Sequence, residues 1–378
     1  MILLFGITIT VMLSQNLEVS AMKGSVKKYT LVARNVRSVR TIHTDVFLSQ
    51  KKNKVMQVDL FKKLKNKDVR SNIYYKNCLI SKNAKAYFPD GARIFIQNNR
   101  DEILFTGEEY AKCESIFGHK TKKDCERDKA AVANEVVLKN ITRCWSDFGL
   151  FAYVKNKSLV VTGTAIAGDV ARCYHLGTKA TCFKGQADQV KQVVSGELNV
   201  FVLMKNGSVW GTGWNETMLI SDSEEYYYGD FVQIIPQGVK AIAATGYNVG
   251  MLKEDGSLWI WGGGGRAGYA PPTTPYKIAD NVKEFSLCTD WRSPKSATDF
   301  ILVFIKKNNT AYGMGSNYGY ALTSKYKKGW IDNPVKLKSN IKHVYTGYGT
   351  TFLLDKEKRL YWSGGQFRGG LMDIKAMK

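Results

Sequence analysis

The chain is poor in the motifs that build chemical sites. Its four histidines (His43, His119, His175, His343) have no companion at i+4 and no Cys-x-x-Cys nearby, the spacings that zinc sites use. No Gly-x-Ser-x-Gly elbow occurs. Gly263–Gly268 matches a literal Gly-x-Gly-x-x-Gly, but it follows a hairpin strand and opens no helix, so it supplies no helix amides for a phosphate. Glu108-Glu109 and Glu224-Glu225 stand in loop sequence with nothing to hold them as an acid/base pair. These absences predict a protein that is not an enzyme, with no catalytic residues, cofactor or metal. Paired Cys/His spacings and basic helices are missing too, so nucleic acid is not the expected partner.

Proline is scarce, seven residues in 378, which leaves no long disordered linker and favours one domain over residues 22–378. Long apolar runs are also lacking. Residues 2–13 (ILLFGITITVML) are too few to span a membrane, and Val19-Ser20-Ala21 after them fits a signal-peptidase site. Residues 1–21 therefore read as a signal peptide, and no integral membrane segment is expected after its removal. No basic residue precedes the apolar run, so a misassigned start or a buried first strand stay open as alternatives.

What the chain does have is a repeat. Val190–Asn215 (VKQVVSGELNVFVLMKNGSVWGTGWN) contains three short apolar strands, the last two joined at Asn206-Gly207. An Asn-Gly pair between apolar strands signals a hairpin whose two central residues both need positive φ. The pattern recurs from Val239, with Asp255-Gly256 as the turn, and from Ile341. Weaker copies start at Val36, Ala84, Ile141 and Val282. Starts at 36, 84, 141, 190, 239, 282 and 341 are spaced by 48, 57, 49, 49, 43 and 59 residues. A period near fifty with four short strands per unit is the signature of propeller blades. Asn35, Asn83, Asn140, Asn281, Asn340 and Gly238 each precede a start, which predicts a left-handed corner at the join. The fold expected is all-β: a seven-bladed β-propeller of four-stranded antiparallel blades. The last blade lacks an outer strand of its own, so Tyr29–Arg34 is expected to complete it and close the ring.

The segments WGTGWN (210–215), IWGGGGRAGYA (260–270) and GMGSNYGYAL (313–322) resemble the Trp-Gly-x-Asn-x-x-Gly-x-Leu signature of the regulator of chromosome condensation repeat family, which are seven-bladed propellers. The resemblance covers roughly residues 29–370. It implies a binding protein, and for the family's founding member exchange of guanine nucleotide on a small GTPase. Secreted relatives that cover a partner's active site with an aromatic face imply a second mode.

Charge is uneven. The formal net charge is +22, and residues 22–85 alone carry +14. Lys62, Lys63, Lys65, Lys67 and Arg70 crowd the loop after the first hairpin, where nucleic acid, an anionic glycan, an anionic lipid or an acidic protein would be attracted; a merely solvated lysine-rich surface is the plainer alternative. Cys113 with Cys125, and Cys173 with Cys182, bracket short polar loops and are candidate disulfides, which favours an oxidising compartment over a reduced cytosol. Cys78, Cys144 and Cys288 have no assigned partner, and seven is an odd number.

The loop 215–230 differs in character. It is acidic and carries Tyr226, Tyr227 and Tyr228, rigid amphipathic rings of the type that anchor protein interfaces. Some of these rings are expected to enter the next strand instead. Trp214 and Tyr269 stand at comparable positions after their strands, as do Tyr318 and Tyr320; such aromatics either line one face of the disc or pack between blades. The expected function is a secreted, periplasmic or cell-surface binding protein that grips a protein or glycan with a propeller face. Guanine-nucleotide exchange is the alternative.

Overall fold

The computed structural model describes residues 30–33, 36–42, 45–50, 54–58, 78–81, 85–89, 94–100, 102–105, 135–138, 141, 143–147, 150–163, 180–196, 199–215, 217–263, 269–270, 272–290, 299–323, 329–347 and 349–364. Among these residues the strands pair into seven antiparallel sheets, each running outward in chain order apart from the last. The innermost strands are Val36–Ile42, Ala86–Pro89, Cys144–Asp147, Val190–Ser195, Val239–Ala244, Val282–Thr289 and Ile341–Gly347. Each lies beside the next, and Ile341–Gly347 lies beside Val36–Ile42, so the sheets form a closed ring. In the last blade the outermost strand is Thr30–Ala33, paired with Leu360–Gly364 and placing Thr30 opposite Trp362. The expected closure from the N-terminal side is therefore present. It removes the open sheet edge that an unclosed disc would expose.

Five blade starts (36, 190, 239, 282 and 341) coincide with the first residue of an inner strand. The expected starts at 84 and 141 sit two and three residues ahead of the observed strands at Ala86 and Cys144. Ile141 is nonetheless fully buried, like Val36, Val190, Val239 and Ile341, so the start position is a core anchor even where the ladder begins later. In the five coincident blades the pairing shifts register right after the start, leaving the second residue (Arg37, Lys191, Lys240, Lys283, Lys342) in a bulge.

The core lies between sheets. Leu150 and Val161 of the third blade pack with Val193 and Val202 of the fourth. Val194 and Phe201 of the fourth pack with Ile242 and Trp261 of the fifth. Fully burying such a side chain is worth about 1.5–3 kcal/mol, so the ring is held by the contacts each sheet makes with its two neighbours. Gly262 shows why a glycine closes the third strand. Its φ is +115°, and a Cβ there would lie 2.3 Å from the Tyr247 carbonyl oxygen.

The hairpins differ from expectation in one respect. At Asn206-Gly207 only Gly207 has positive φ (82°). Asn206 instead turns its side chain forward, its Oδ1 accepting from Ser208 N at 3.0 Å and Ser208 Oγ at 2.7 Å. Asp255 does the same for Ser257. This Asx geometry lets a right-handed residue precede the glycine, so a second positive φ is not required. Paired positive φ values occur at Asn156 (50°) and Lys157 (56°). The left-handed joins hold where they are described, with φ of 60° at Asn281, 65° at Asn340 and 85° at Gly238. Asn35, Asn83 and Asn140 lie outside the described residues.

The strand order gives the disc two distinct faces. The turn face carries the hairpins between second and third strands together with the joins between blades. The loop face carries the connections from third strand to outer strand.

Candidate functional site

On the loop face the connection Asn215–Tyr226 is built around one buried side chain. Asn215 is 3% exposed. Its Oδ1 accepts from Ile220 N and Ser221 N, both at 2.9 Å, and its Nδ2 donates to Ser223 O at 3.3 Å and Glu225 O at 3.0 Å. Its backbone N–H donates to Tyr226 O at 2.8 Å, and its carbonyl accepts from Met218 N at 2.9 Å. Asn317 repeats the arrangement in the sixth blade, where its Oδ1 accepts from Leu322 N at 3.0 Å and Thr323 N at 3.2 Å. The loop is also tied sideways. Trp261 Nε1 donates to Leu219 O at 2.9 Å, and Thr273 Oγ1 donates to Asp222 Oδ2 at 3.2 Å. The rim of blades four and five is therefore one connected surface.

This surface displays apolar side chains. Trp214 is 37% exposed, Met218 36%, Tyr226 69% and Tyr276, which opens the outer strand of the fifth blade, 52%. Trp214 and Tyr227 meet edge to face with centroids 6.4 Å apart. Met218 holds a φ of +55°, a region that side chains with a Cβ rarely adopt. Tyr320, the corresponding residue beside Asn317, holds +56°. Both occupy the glycine position of the repeat signature. Forcing a non-glycine residue into that region costs roughly 1–2 kcal/mol, and such strain concentrates at functional sites.

Tyr226, Tyr227 and Tyr228 divide as the strand alternation requires. Tyr227 packs on the core between the third and fourth blades and Tyr228 on the core between the fourth and fifth. The Tyr228 hydroxyl lies 2.6 Å from Ser223 Oγ. Tyr226 alone of the three points outward. Met218 and Tyr276 were not singled out from the sequence; the replaced signature glycine was the available signal for Met218. For Tyr269 only the backbone is described. Lys62, Lys63, Lys65, Lys67 and Arg70 lie outside the described residues, as do residues 1–21 and Cys113, Cys125 and Cys173. Cys182 is buried at the end of the strand Ala180–Cys182.

A second concavity, about 610 Å³, runs down the axis between the inner strands. Its polar groups fasten neighbouring blades. Gln192 Nε2 donates to Ile242 O at 2.7 Å while its Oε1 accepts from Ile242 N at 3.1 Å. Glu284 Oε1 accepts from Val344 N, and its Oε2 lies 2.9 Å from His343 Nδ1. Burial pushes the hydroxyls of Tyr87 and Tyr345 above the usual tyrosine range, so both stay protonated at neutral pH. Among the described residues no group of three or more His, Cys, Asp or Glu side chains could hold a metal ion.

Comparison with solved structures fits this architecture. Human WBSCR16 superposes with a TM-score of 0.57 at 12% identity over 89% of this chain and 88% of its own. Prp20p from Saccharomyces cerevisiae superposes at 0.58 with 14% identity, over 88% of this chain and 83% of its own. The same yeast protein, named RCC1 (Prp20) and bound to Kap60, gives 0.57 and 14% over 88% of this chain and 81% of its own. The fold is that of an RCC1-like propeller. No protein-family profile and no curated protein matches the sequence. Within this RCC1-like propeller, the signature residues Asn215, Trp261, Asn317 and Leu322 serve packing and loop scaffolding. The outward side chains are Trp214 and Met218, beside and at signature positions, together with Tyr226 and Tyr276, which lie beyond the signature.

Proposed function

We propose that this chain is a non-catalytic binding protein that holds a partner protein on the loop-face rim of blades four and five. The observation that carries the reading is Met218. A strained, apolar, part-exposed residue stands where glycine would relieve the strain, beside Trp214 and Tyr226, on a loop locked by Asn215. Rigid aromatics on a pre-organised loop lose little entropy on binding and provide the desolvated anchors of protein interfaces. Propellers of this shape bind proteins: the yeast relative is bound to Kap60 in one structure and was examined for binding to Gsp1p and histones in another. The expected leader at residues 1–21 and the candidate disulfides Cys113–Cys125 and Cys173–Cys182 are the sequence features that support action outside the cytoplasm, in a periplasmic, surface or secreted setting.

The test is capture of the partner by immobilised full-length chain, compared across variants. Met218→Ala with Tyr226→Ala should weaken capture at least thirtyfold, the effect of losing one hot-spot anchor or more. Lys205→Ala, on the turn face, should leave it unchanged. Equal capture by wild type and the rim variant would refute the site.

A further inference from the structure

We infer that the turn face is a docking surface for an anionic lipid membrane, so that the disc lies on the bilayer and presents its aromatic rim away from it. The second residue of the blade unit is basic in six blades: Arg37, Lys85, Lys191, Lys240, Lys283 and Lys342. The third blade has Thr142 there. The Arg143 that follows does not replace it, because its guanidinium donates to the carbonyls of Asp188 and Val190 and lies over the Trp145 ring, so the ring has a gap at the third blade. Equivalent positions of a closed repeat lie at one height around the axis, so these cations form a ring about the channel mouth on the turn face. Arg37, Lys85, Lys191, Lys240 and Lys342 are exposed, and Lys283 is half-buried, reaching Asn309 Oδ1 at 2.5 Å.

The hairpins around the ring add Lys205, Lys307, Lys356 and Lys358, against Glu254, Asp255 and Glu357. Lys191 Nζ lies 3.9 Å from Glu254, an exposed pair that neutralises part of the ring. On the opposite face the rim of the fourth blade has the opposite sign. Among its described loop residues Asp222, Glu224 and Glu225 are exposed, and none is Lys or Arg. Residues 206–239, which include that rim, contain no basic residue in a chain of net charge +22. The fourth blade is thus polarised across its thickness, from Lys191 and Lys205 on the turn face to Asp222, Glu224 and Glu225 on the loop face.

The shape selects among polyanions. A ring of coplanar cations meets a flat anionic surface all at once, whereas a nucleic-acid rod laid across it meets only part. The large exposed apolar side chains among the described residues, Trp214, Met218, Tyr226 and Tyr276, all belong to the other face. Attachment is therefore electrostatic and reversible, without insertion, with each basic residue near an anionic leaflet changing partition by about fivefold.

Sedimentation of full-length chain with vesicles tests this. Vesicles of phosphatidylcholine with 30 mol% phosphatidylserine should bind the chain at 0.1 M salt and release it at 0.5 M, and pure phosphatidylcholine should not bind. Lys191→Glu, Lys240→Glu and Lys342→Glu together should lower binding more than a hundredfold. The matching glutamine variants, which guard against misfolding, should give an intermediate loss. Glu224→Lys with Glu225→Lys should not weaken binding. Equal binding to neutral vesicles, or ring variants that bind like wild type, would overturn the assignment. So would duplex DNA that binds more tightly and strips the chain from vesicles at equal phosphate concentration. Inorganic phosphate at that concentration should not displace it; displacement would mean discrete phosphate sites instead of a surface. None of these outcomes depends on the rim variants used to test partner capture.

Discussion

The backbone N–H of Val36 donates to the carbonyl of Lys358 at 3.2 Å, and this bond joins the first blade to the last. The same bond recurs between sequential blades: Val239 to Gly207 at 3.1 Å, Val282 to Gly256 at 2.8 Å and Ile341 to Asn309 at 2.9 Å. Lys358 has a φ of 62°, matching the left-handed Gly207, Gly256 and Asn309. The seam is therefore built like the three joins that enter the fifth, sixth and seventh blades, and Thr30–Ala33 reinforces it from outside.

Removing residues 22–34 deletes that outer strand while keeping Val36. With a net worth of about 1 kcal/mol per backbone hydrogen bond, the loss should reach about 3–5 kcal/mol and expose the edge of Leu360–Gly364. Differential scanning calorimetry should show a lower and broader transition. An unchanged transition would mean that the closure carries no stability.

The seam should also respond to acid. Asp355 is buried at the hairpin that presents Lys358, its Oδ1 accepting from Arg359 N at 2.8 Å and its Oδ2 from Arg359 Nε at 2.6 Å. Burial alone would raise its pKa, but the bonds from the Arg359 backbone and guanidinium outweigh it, and the net shift is downward. A depressed carboxylate contributes stability that is full above the unfolded value of about 3.9 and is lost as pH falls through the lower folded value. Asp355→Asn should melt lower than wild type at pH 7, and the gap should close below about pH 4 as wild type protonates. A gap independent of pH would contradict this.

Asn215→Ala removes four side-chain hydrogen bonds and strands the buried amide of Ile220 and the part-buried amide of Ser221. A cost of about 2–4 kcal/mol is expected, together with loosening of the 216–225 loop. Faster amide exchange at Ile220 and Ser221, with little change at Leu322 and Thr323 under Asn317, would confirm local action. Equal loosening of both loops would not.

Met218→Gly separates stability from binding. Relieving the left-handed strain should stabilise the fold by roughly 1 kcal/mol, while capture of the partner weakens. A glycine variant that is less stable would show that Met218 is packed, not strained.

Much of this architecture is legible in the chain. The frame is set by turn residues at fixed offsets, such as Asn206-Gly207 and Asp255-Gly256, and by aliphatic starts such as Val190 and Val239. Joins at Asn281 and Asn340 were readable because few other residues tolerate their conformation. The rim was harder to read. Tyr227 and Tyr228 look like Tyr226 in sequence, and only the register opposite Trp214 and Gly213 separates packed rings from the exposed one. Tyr276 reads as an ordinary strand residue. The cation ring is invisible as a cluster, since its members stand some fifty residues apart and are gathered only by closure of the disc.

Peptide mapping without reduction should find Cys113 joined to Cys125 and Cys173 to Cys182 in chain purified from an oxidising compartment. All four found as thiols would count against action outside the cytoplasm.

The most direct test of the account is hydrogen–deuterium exchange of the full chain, alone and with its captured partner. Slowed exchange over 215–226 and 272–276 is predicted, with the hairpins at 205–208, 254–257 and 307–310 unchanged. Protection of those hairpins with an unaltered rim would place the partner on the turn face and contradict the proposal.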